Sequence, residues 1–392
     1  MGTVAHLTSL ALALTVVVGG SAQEQTTAQS PVPVPAATPD RGPLADEVEA
    51  IRAAHDLPAL GCALVRADGT IELAGVAGTT EYGGTTPVTL ASPWHLGSCL
   101  KAMTATLAAR YVESGNLAWT SSPAQVFAQR FETIDPSWSK VTLEQLLSHR
   151  AGVVANIPGR ALAVSLQMDT GAPADARARL VEQILSEPTE MPPGSGYLYS
   201  NIGYTLAGAM IEAVGGAPFE TLIQRELFAP LGIEGAGFGP PVGDDAPRGH
   251  RPGSKALVAM PPSALADNPA AIAPAGTAHM PMADWARFLG LHLRRGAGEG
   301  DPLTAASFES LHRVRGDDYA LGWLKLRRNW SKGPVLNHAG SNTYWYCVVW
   351  AAPEEGFAAI VTTNVAGDAA GKACDELASL LIGRAVAGEG GR

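Results

Sequence analysis

The sequence predicts an α/β chain of the α+β type: an antiparallel sheet flanked by helices, with a large all-helical insertion. Three observations predict it. Strand-like runs lie near both ends of the folded chain, helical periodicity fills the middle from about 120 to 330, and no repeat of solenoid period divides it. Strands so far apart in sequence close one core only by pairing with each other, which leaves the helical middle packed beside them. With 392 residues, 46% of them hydrophobic, the chain is long enough to bury that core.

Taken in order, residues 1–22 read as a secretory signal. An apolar run, "LALALTVVV", is followed by small residues around Ser21 and Ala22 and then by polar chain, although "MGTVAH" carries no Lys or Arg. The rival is an uncleaved membrane anchor, for which the run is short, so no stable span is expected after signal removal. An opening Met-Gly also suggests myristoylation, but His6 stands where that signal needs Ser or Thr. Residues 23–43 are Pro-, Ala- and Thr-rich and read as a linker. The folded domain is placed at 44–385 and a tail at 386–392, and the product is expected to be periplasmic or secreted.

Within the domain, "LADEVEAIRAAHDL" has the apolar spacing of an opening helix. "ALGCALVRADGTIELAGVAGTT" reads as two strands joined by the Asp68-Gly69 turn. After Ser98, Leu100, Met103, Leu107 and Tyr111 recur at helical spacing, with Gly115 as the stop. The middle is helical pattern broken by Pro-Gly loops. Near the C-terminus "VLNHAG", "YWYCVVWAAPEEGFAAIVTTNV" and "KACDELASLLIGRAV" predict three strands and a closing helix.

Several function classes are excluded at this level. A net charge of −10 without basic runs argues against nucleic acid. The nine histidines are scattered and no paired-cysteine spacing occurs, so no metal is expected. No Gly-rich loop with its lysine follows a strand, and no cofactor is expected. Cys62, Cys99, Cys347 and Cys374 allow three disulfide pairings, but all lie in strand-like or helical runs where buried free thiols are common. Cys99 is a poor nucleophile candidate, since it points about 100° from Ser98 on a helix.

Ser98 and Lys101 stand three apart at a helix start, on one face. A serine hydroxyl needs a neighbouring base, and a lysine serves only where burial leaves it partly neutral. "SWSK" repeats the spacing at Ser137 and Lys140, but beside Pro136 in a turn, with Thr142 capping the next helix, and reads as solvated surface. "YLYSNIGY" places Tyr199 and Asn201 in a loop before a helix, aimed at a shared cleft. "VLNHAGSNTYW" places His338 and Gly340 at a strand end. A competing His-x-Gly at His95 precedes the serine too closely to form a separate wall.

Ser98-Cys-Leu-Lys101, Tyr199-Ser-Asn201 and His338-Ala-Gly340, in that order, resemble the serine beta-lactamase and penicillin-binding protein superfamily. The resemblance is to the branch holding class C beta-lactamases, D-alanyl-D-alanine carboxypeptidases, D-aminopeptidases and related esterases, and it spans about residues 44–385. "TLEQLLSHRAGV" resembles a further landmark, with Arg150 and Ala151 in place of small hydroxyl residues and His149 structural. The resemblance implies a beta-lactamase/transpeptidase-like fold and an acyl-enzyme on Ser98. Lys101 and Tyr199 are its proton carriers, and which of them deprotonates Ser98 stays open. It further implies that Asn201 holds substrate amide or the lysine. It places the oxyanion on the N–H groups of Ser98 and Ser341, and substrate against His338 and Gly340.

The departure from the pattern is His338. Many beta-lactamases have a lysine there, and a histidine is only partly charged near neutral pH. The expected substrates are therefore peptides or amides, possibly cell-wall-derived, then esters, then beta-lactams. A penicillin-binding sensor without turnover is the alternative of another class. Tyr344 and Trp345 are read as core residues before cleft residues.

Overall fold

The two ends of the domain meet in one antiparallel sheet. The computed structural model describes residues 40–389; the signal segment 1–22, residues 23–39 of the linker and residues 390–392 of the tail lie outside them. Helix α1 (Ala45–Ala54) leads to β1 (Ala59–Arg66) and β2 (Ile71–Gly78), and a turn leads into α2 (Leu100–Glu113). The helical region includes α3 (Leu143–Leu147), α4 (Pro173–Leu185) and α5 (Asn201–Gly215). The chain returns through α6 (Met282–Arg294), β3 (Leu324–Leu326), β4 (Val335–Ser341), β5 (Tyr346–Ala352), β6 (Phe357–Thr363) and α7 (Asp368–Glu389). The strands lie in the order β2-β1-β6-β5-β4-β3 and every neighbouring pair is antiparallel.

The central strands read as continuous apolar runs because both faces are covered. Ala59, Ala63 and Val65 of β1 enter the core shared with α2 and α6, while Leu60, Cys62 and Leu64 enter the core shared with α1 and α7. That division follows from the two-residue period of a strand. Asp68 and Gly69 make the predicted turn, with Gly69 at φ 86°.

The helical insertion is shorter than predicted. Helix α6 lies inside the predicted range but packs on β1 and β6, and β3 pairs with β4 at the sheet edge. Three residues of strand are too few to show a period. The linker also ends earlier than residue 43: Asp40 and Arg41 accept backbone hydrogen bonds from Leu90 (3.0 Å) and Val76 (2.9 Å). These residues cover part of edge strand β2, a tertiary pairing that composition does not signal. At the other end α7 continues past residue 385 to Glu389. Among the described residues no single helix is long and apolar enough to cross a membrane.

Candidate active site

Residues Trp94–His95 bridge to Ala278–Met280, and Leu96 N–H donates to Ala278 O (2.8 Å). The chain then turns through Gly97–Cys99 as a 3-10 turn that runs into α2. Two glycines let β4 pass directly against this turn. Gly97 has φ 48°, and a β-carbon on it would overlap Ser341 N; one on Gly340 would overlap Leu96 O. The sequence therefore brings Ser98 and Ser341, 243 positions apart (341 − 98), to one place.

Lys101 is fully buried one turn along from Ser98. Its Nζ lies 3.0 Å from Ser98 Oγ, 2.8 Å from Asn201 Oδ1 and 2.6 Å from Ala275 O. No carboxylate is among these partners, and burial lowers the amine from 10.5 to about 7. Tyr199 donates its hydroxyl to Ser98 Oγ at 2.9 Å, and burial pushes that phenol well above its ordinary value. Near neutral pH the amine is thus half-titrated while the phenol keeps its proton.

Tyr199 is set by the start of α5. Ser200 is the N-cap: its Oγ accepts from Gly203 N (2.8 Å) and donates to Val154 O (2.7 Å). Asn201, predicted in the loop, is instead the first residue of α5, and its Nδ2 donates to Asn156 Oδ1 (2.7 Å). His149, read as structural from the sequence, is buried and contacts the site. Its Nδ1 accepts from Ser200 N (3.0 Å) and its ring lies 4.2 Å from that of Tyr199. Burial holds this imidazole neutral, well below its ordinary range. Thr142 caps α3 with a capping box through Gln145, as the sequence predicts.

His338 needs correction. It is buried rather than open to a substrate, and Tyr319 OH lies 3.0 Å from its Nε2. Burial lowers it to about 4, with Lys101 adding to the effect. Burial, which takes water away from the ring, thus disfavours the partial charge expected near neutral pH. Ala339 and Ser341 alternate with it on β4 and are the exposed residues there. Gly340 is the point of close approach to the turn.

Trp345 is a core residue, 1% exposed, stacked on His95 with ring centroids 5.2 Å apart; Tyr344 is half-buried. Ser137 Oγ accepts from Thr189 N (3.2 Å) and Lys140 is exposed, so the second Ser-x-x-Lys stays outside the site. All four cysteines are free and buried, with Cys99 and Cys347 Sγ atoms 3.6 Å apart. Among the described residues no group of three or more His, Cys, Asp or Glu side chains is arranged to hold a metal ion.

The Ser98 turn, the buried Lys101 amine, the Tyr199 phenol and the end of β4 at Ser341 lie together here. The Beta-lactamase family model matches residues 44–382, most of the chain. The chain belongs to the Beta-lactamase family. It is a serine hydrolase of that fold. Penicillin-binding protein 4 of Amycolatopsis lactamdurans is 27% identical over 336 residues, covering 81% of this chain and 84% of that protein. Lovastatin esterase of Penicillium rubens is 29% identical over 164 residues, 38% of this chain and 41% of that protein. The solved D-amino acid amidase of Ochrobactrum anthropi SV3, complexed with L-phenylalanine, superposes with TM-score 0.68. It is 18% identical, covering 87% of this chain and 96% of that one, a likeness of fold alone.

One neighbour of the Ser98 turn was missed by sequence reasoning. His95, set aside as too close to the serine, lies beneath the Ser98 turn, and its carboxylate partner Asp267 is 172 residues away. No local signal joins them.

Proposed function

We propose that the protein is an exported serine hydrolase that acylates on Ser98 and cleaves amide or peptide bonds of small substrates, D-amino-acid derivatives foremost. The observation that carries this is the environment of Lys101. A neutral amine donates two hydrogens, and Asn201 Oδ1 and Ala275 O accept them; its lone pair then faces Ser98 Oγ at 3.0 Å. In that state Lys101 takes the Ser98 proton while Oγ bonds to the substrate carbonyl carbon. The N–H groups of Ser98 and Ser341 receive the resulting oxyanion. Tyr199, still protonated, gives its proton to the departing amine and is refilled from Lys101; in deacylation it passes that proton back to Lys101 as it takes one from the attacking water, and Lys101 returns its proton to Ser98 Oγ as the acyl group leaves. Tyr199 at 2.9 Å from Ser98 Oγ also argues against a sensor that only acylates.

Substrate choice follows from His338. A neutral, Tyr319-bound imidazole offers no fixed positive charge for a substrate carboxylate, which favours neutral amides and N-terminal peptide bonds over beta-lactams and C-terminal residues. The same absence of charge suits neutral esters, and the partial likeness to lovastatin esterase keeps that as a second reading. Cell-wall-derived peptides fit where they present such bonds. The apolar segment in residues 1–22 supports export.

The test is a panel of a D-alanine p-nitroanilide, an acetylated D-alanyl-D-alanine and a chromogenic cephalosporin, compared by kcat/KM. The proposal expects the anilide to lead the two carboxylate-bearing substrates by at least about tenfold. A preference for either carboxylate-bearing substrate would overturn it.

A further inference from the structure

Beneath the Ser98 turn lies a buried polar cluster that proton transfer does not use. Asp267, 7% exposed, receives hydrogen bonds from two directions. On one side His95 Nε2 lies 2.8 Å from Asp267 Oδ2, and His95 Nδ1 accepts the N–H of Gly97 at 3.1 Å. That acceptance fixes the tautomer: Nδ1 carries the lone pair and Nε2 the hydrogen donated to the carboxylate. On the other side Asn342 Nδ2 donates to Asp267 Oδ1 (2.9 Å) and to Ala266 O (3.2 Å). Asn342 Oδ1 in turn accepts from the N–H groups of Tyr344 (3.1 Å) and Trp345 (3.2 Å), closing the corner after β4.

Gly97 immediately precedes Ser98, and Asn342 immediately follows Ser341. One carboxylate is therefore the common acceptor for two arms, each ending one residue from Ser98 or Ser341, whose N–H groups are proposed above to receive the oxyanion. Asn268 N–H (2.7 Å to Oδ1) and Gln167 (3.0 Å to the Asp267 carbonyl) hold Asp267 itself. Trp345 covers the face of the His95 ring.

We infer that His95, Asp267 and Asn342 form a clamp that sets the spacing and direction of the Ser98 and Ser341 N–H groups. They are positioning residues for the oxyanion, not proton carriers. This rests on the proposal that those two N–H groups receive the oxyanion. Donors of this kind act by geometry fixed before the reaction, so a small rotation of Gly97 or of the Ser341 peptide lowers the rate without altering ground-state binding.

The test uses two substitutions at His95 that differ in which arm they keep. In His95→Asn the amide oxygen lies near the former Nδ1 and still accepts from Gly97 N–H. In His95→Gln the amide lies near the former Nε2, keeps the Asp267 contact and loses the Gly97 one. With the full chain and a p-nitrophenyl ester, H95Q is expected to lower kcat by about 10- to 100-fold with KM within about twofold. H95N keeps the hydrogen bond to Gly97 but cuts that arm from Asp267, and should also lower kcat, by about 10-fold or more with KM within about twofold.

Wild-type kcat in either variant, or a loss carried by KM with kcat unchanged, would overturn the clamp. Should H95Q fail to fold, Asn342→Ala tests the other arm by the same split between kcat and KM, and wild-type kcat there would likewise overturn it. Ser98→Ala run in parallel separates the two levels. Residual turnover equal to wild type in S98A sinks the assignment of the site, and the clamp with it. Loss of turnover in S98A together with unaffected H95Q sinks the clamp alone.

Discussion

Replacing Lys101 by methionine should make the protein's stability respond differently to pH, by an amount that follows from the burial of the amine. In the fold the amine sits at about 7 against 10.5 for an ordinary lysine. Below about pH 7 it is charged in both folded and unfolded chains, and the folded state bears the whole burial cost. Each factor of ten in proton affinity is worth about 1.4 kcal/mol, so that cost is about 5 kcal/mol. Between pH 7 and 10.5 the folded amine is neutral while the unfolded one still holds a proton, so the cost shrinks as pH rises. At about pH 9 only about 2 kcal/mol remains.

Wild type should therefore gain about 3 kcal/mol on Lys101→Met between about pH 5 and about pH 9. Methionine also strips a donor from Asn201 Oδ1 and Ala275 O, but that penalty is the same at both pH values and cancels. Apart from His149 and His338, on which Lys101 also acts, the other titrating groups are common to both proteins. Urea unfolding of each protein at each pH measures the quantity as a difference of differences. Parallel pH dependences for the two proteins would refute the reasoning, because they would mean that Lys101 titrates in the fold as it does in water.

Further expectations concern rates. Tyr199→Phe should slow deacylation by about 100-fold or more and let an ester-derived acyl group accumulate on the protein, visible as a retained mass increment. Gly97→Ala should lower kcat/KM by about 100-fold and stability by about 1–3 kcal/mol, since φ 48° and the overlap with Ser341 N both oppose a β-carbon. Circular dichroism melting and steady-state kinetics on the same preparation check both effects.

What the sequence made legible were features carried by local spacing. Ser98 and Lys101 share a helix face because three residues make most of a turn. The capped start of α5 put Tyr199 and Asn201 near each other, although Asn201 belongs to the helix and Ser200 is the cap. The terminal strands announced themselves because β1 and β6 are buried on both faces and read as unbroken apolar runs. The illegible features are tertiary. The charge of His338 depends on burial that no spacing encodes, and its hydroxyl partner Tyr319 lies 19 residues earlier. The partnership of His95 with Asp267 spans 172 residues, and β3 is three residues long. Asp40 and Arg41 read as linker by composition, yet their carbonyls bind Leu90 and Val76.

The central claim is that the buried Lys101 amine activates Ser98 as the acylated residue. It is tested most directly by incubating the protein with an alkyl fluorophosphonate and reading intact mass and the labelled peptide, beside Ser98→Ala. The account predicts one adduct on the peptide containing Ser98 in the wild type and none in the variant. An adduct of equal yield in Ser98→Ala, or a label at another residue in the wild type, would contradict it.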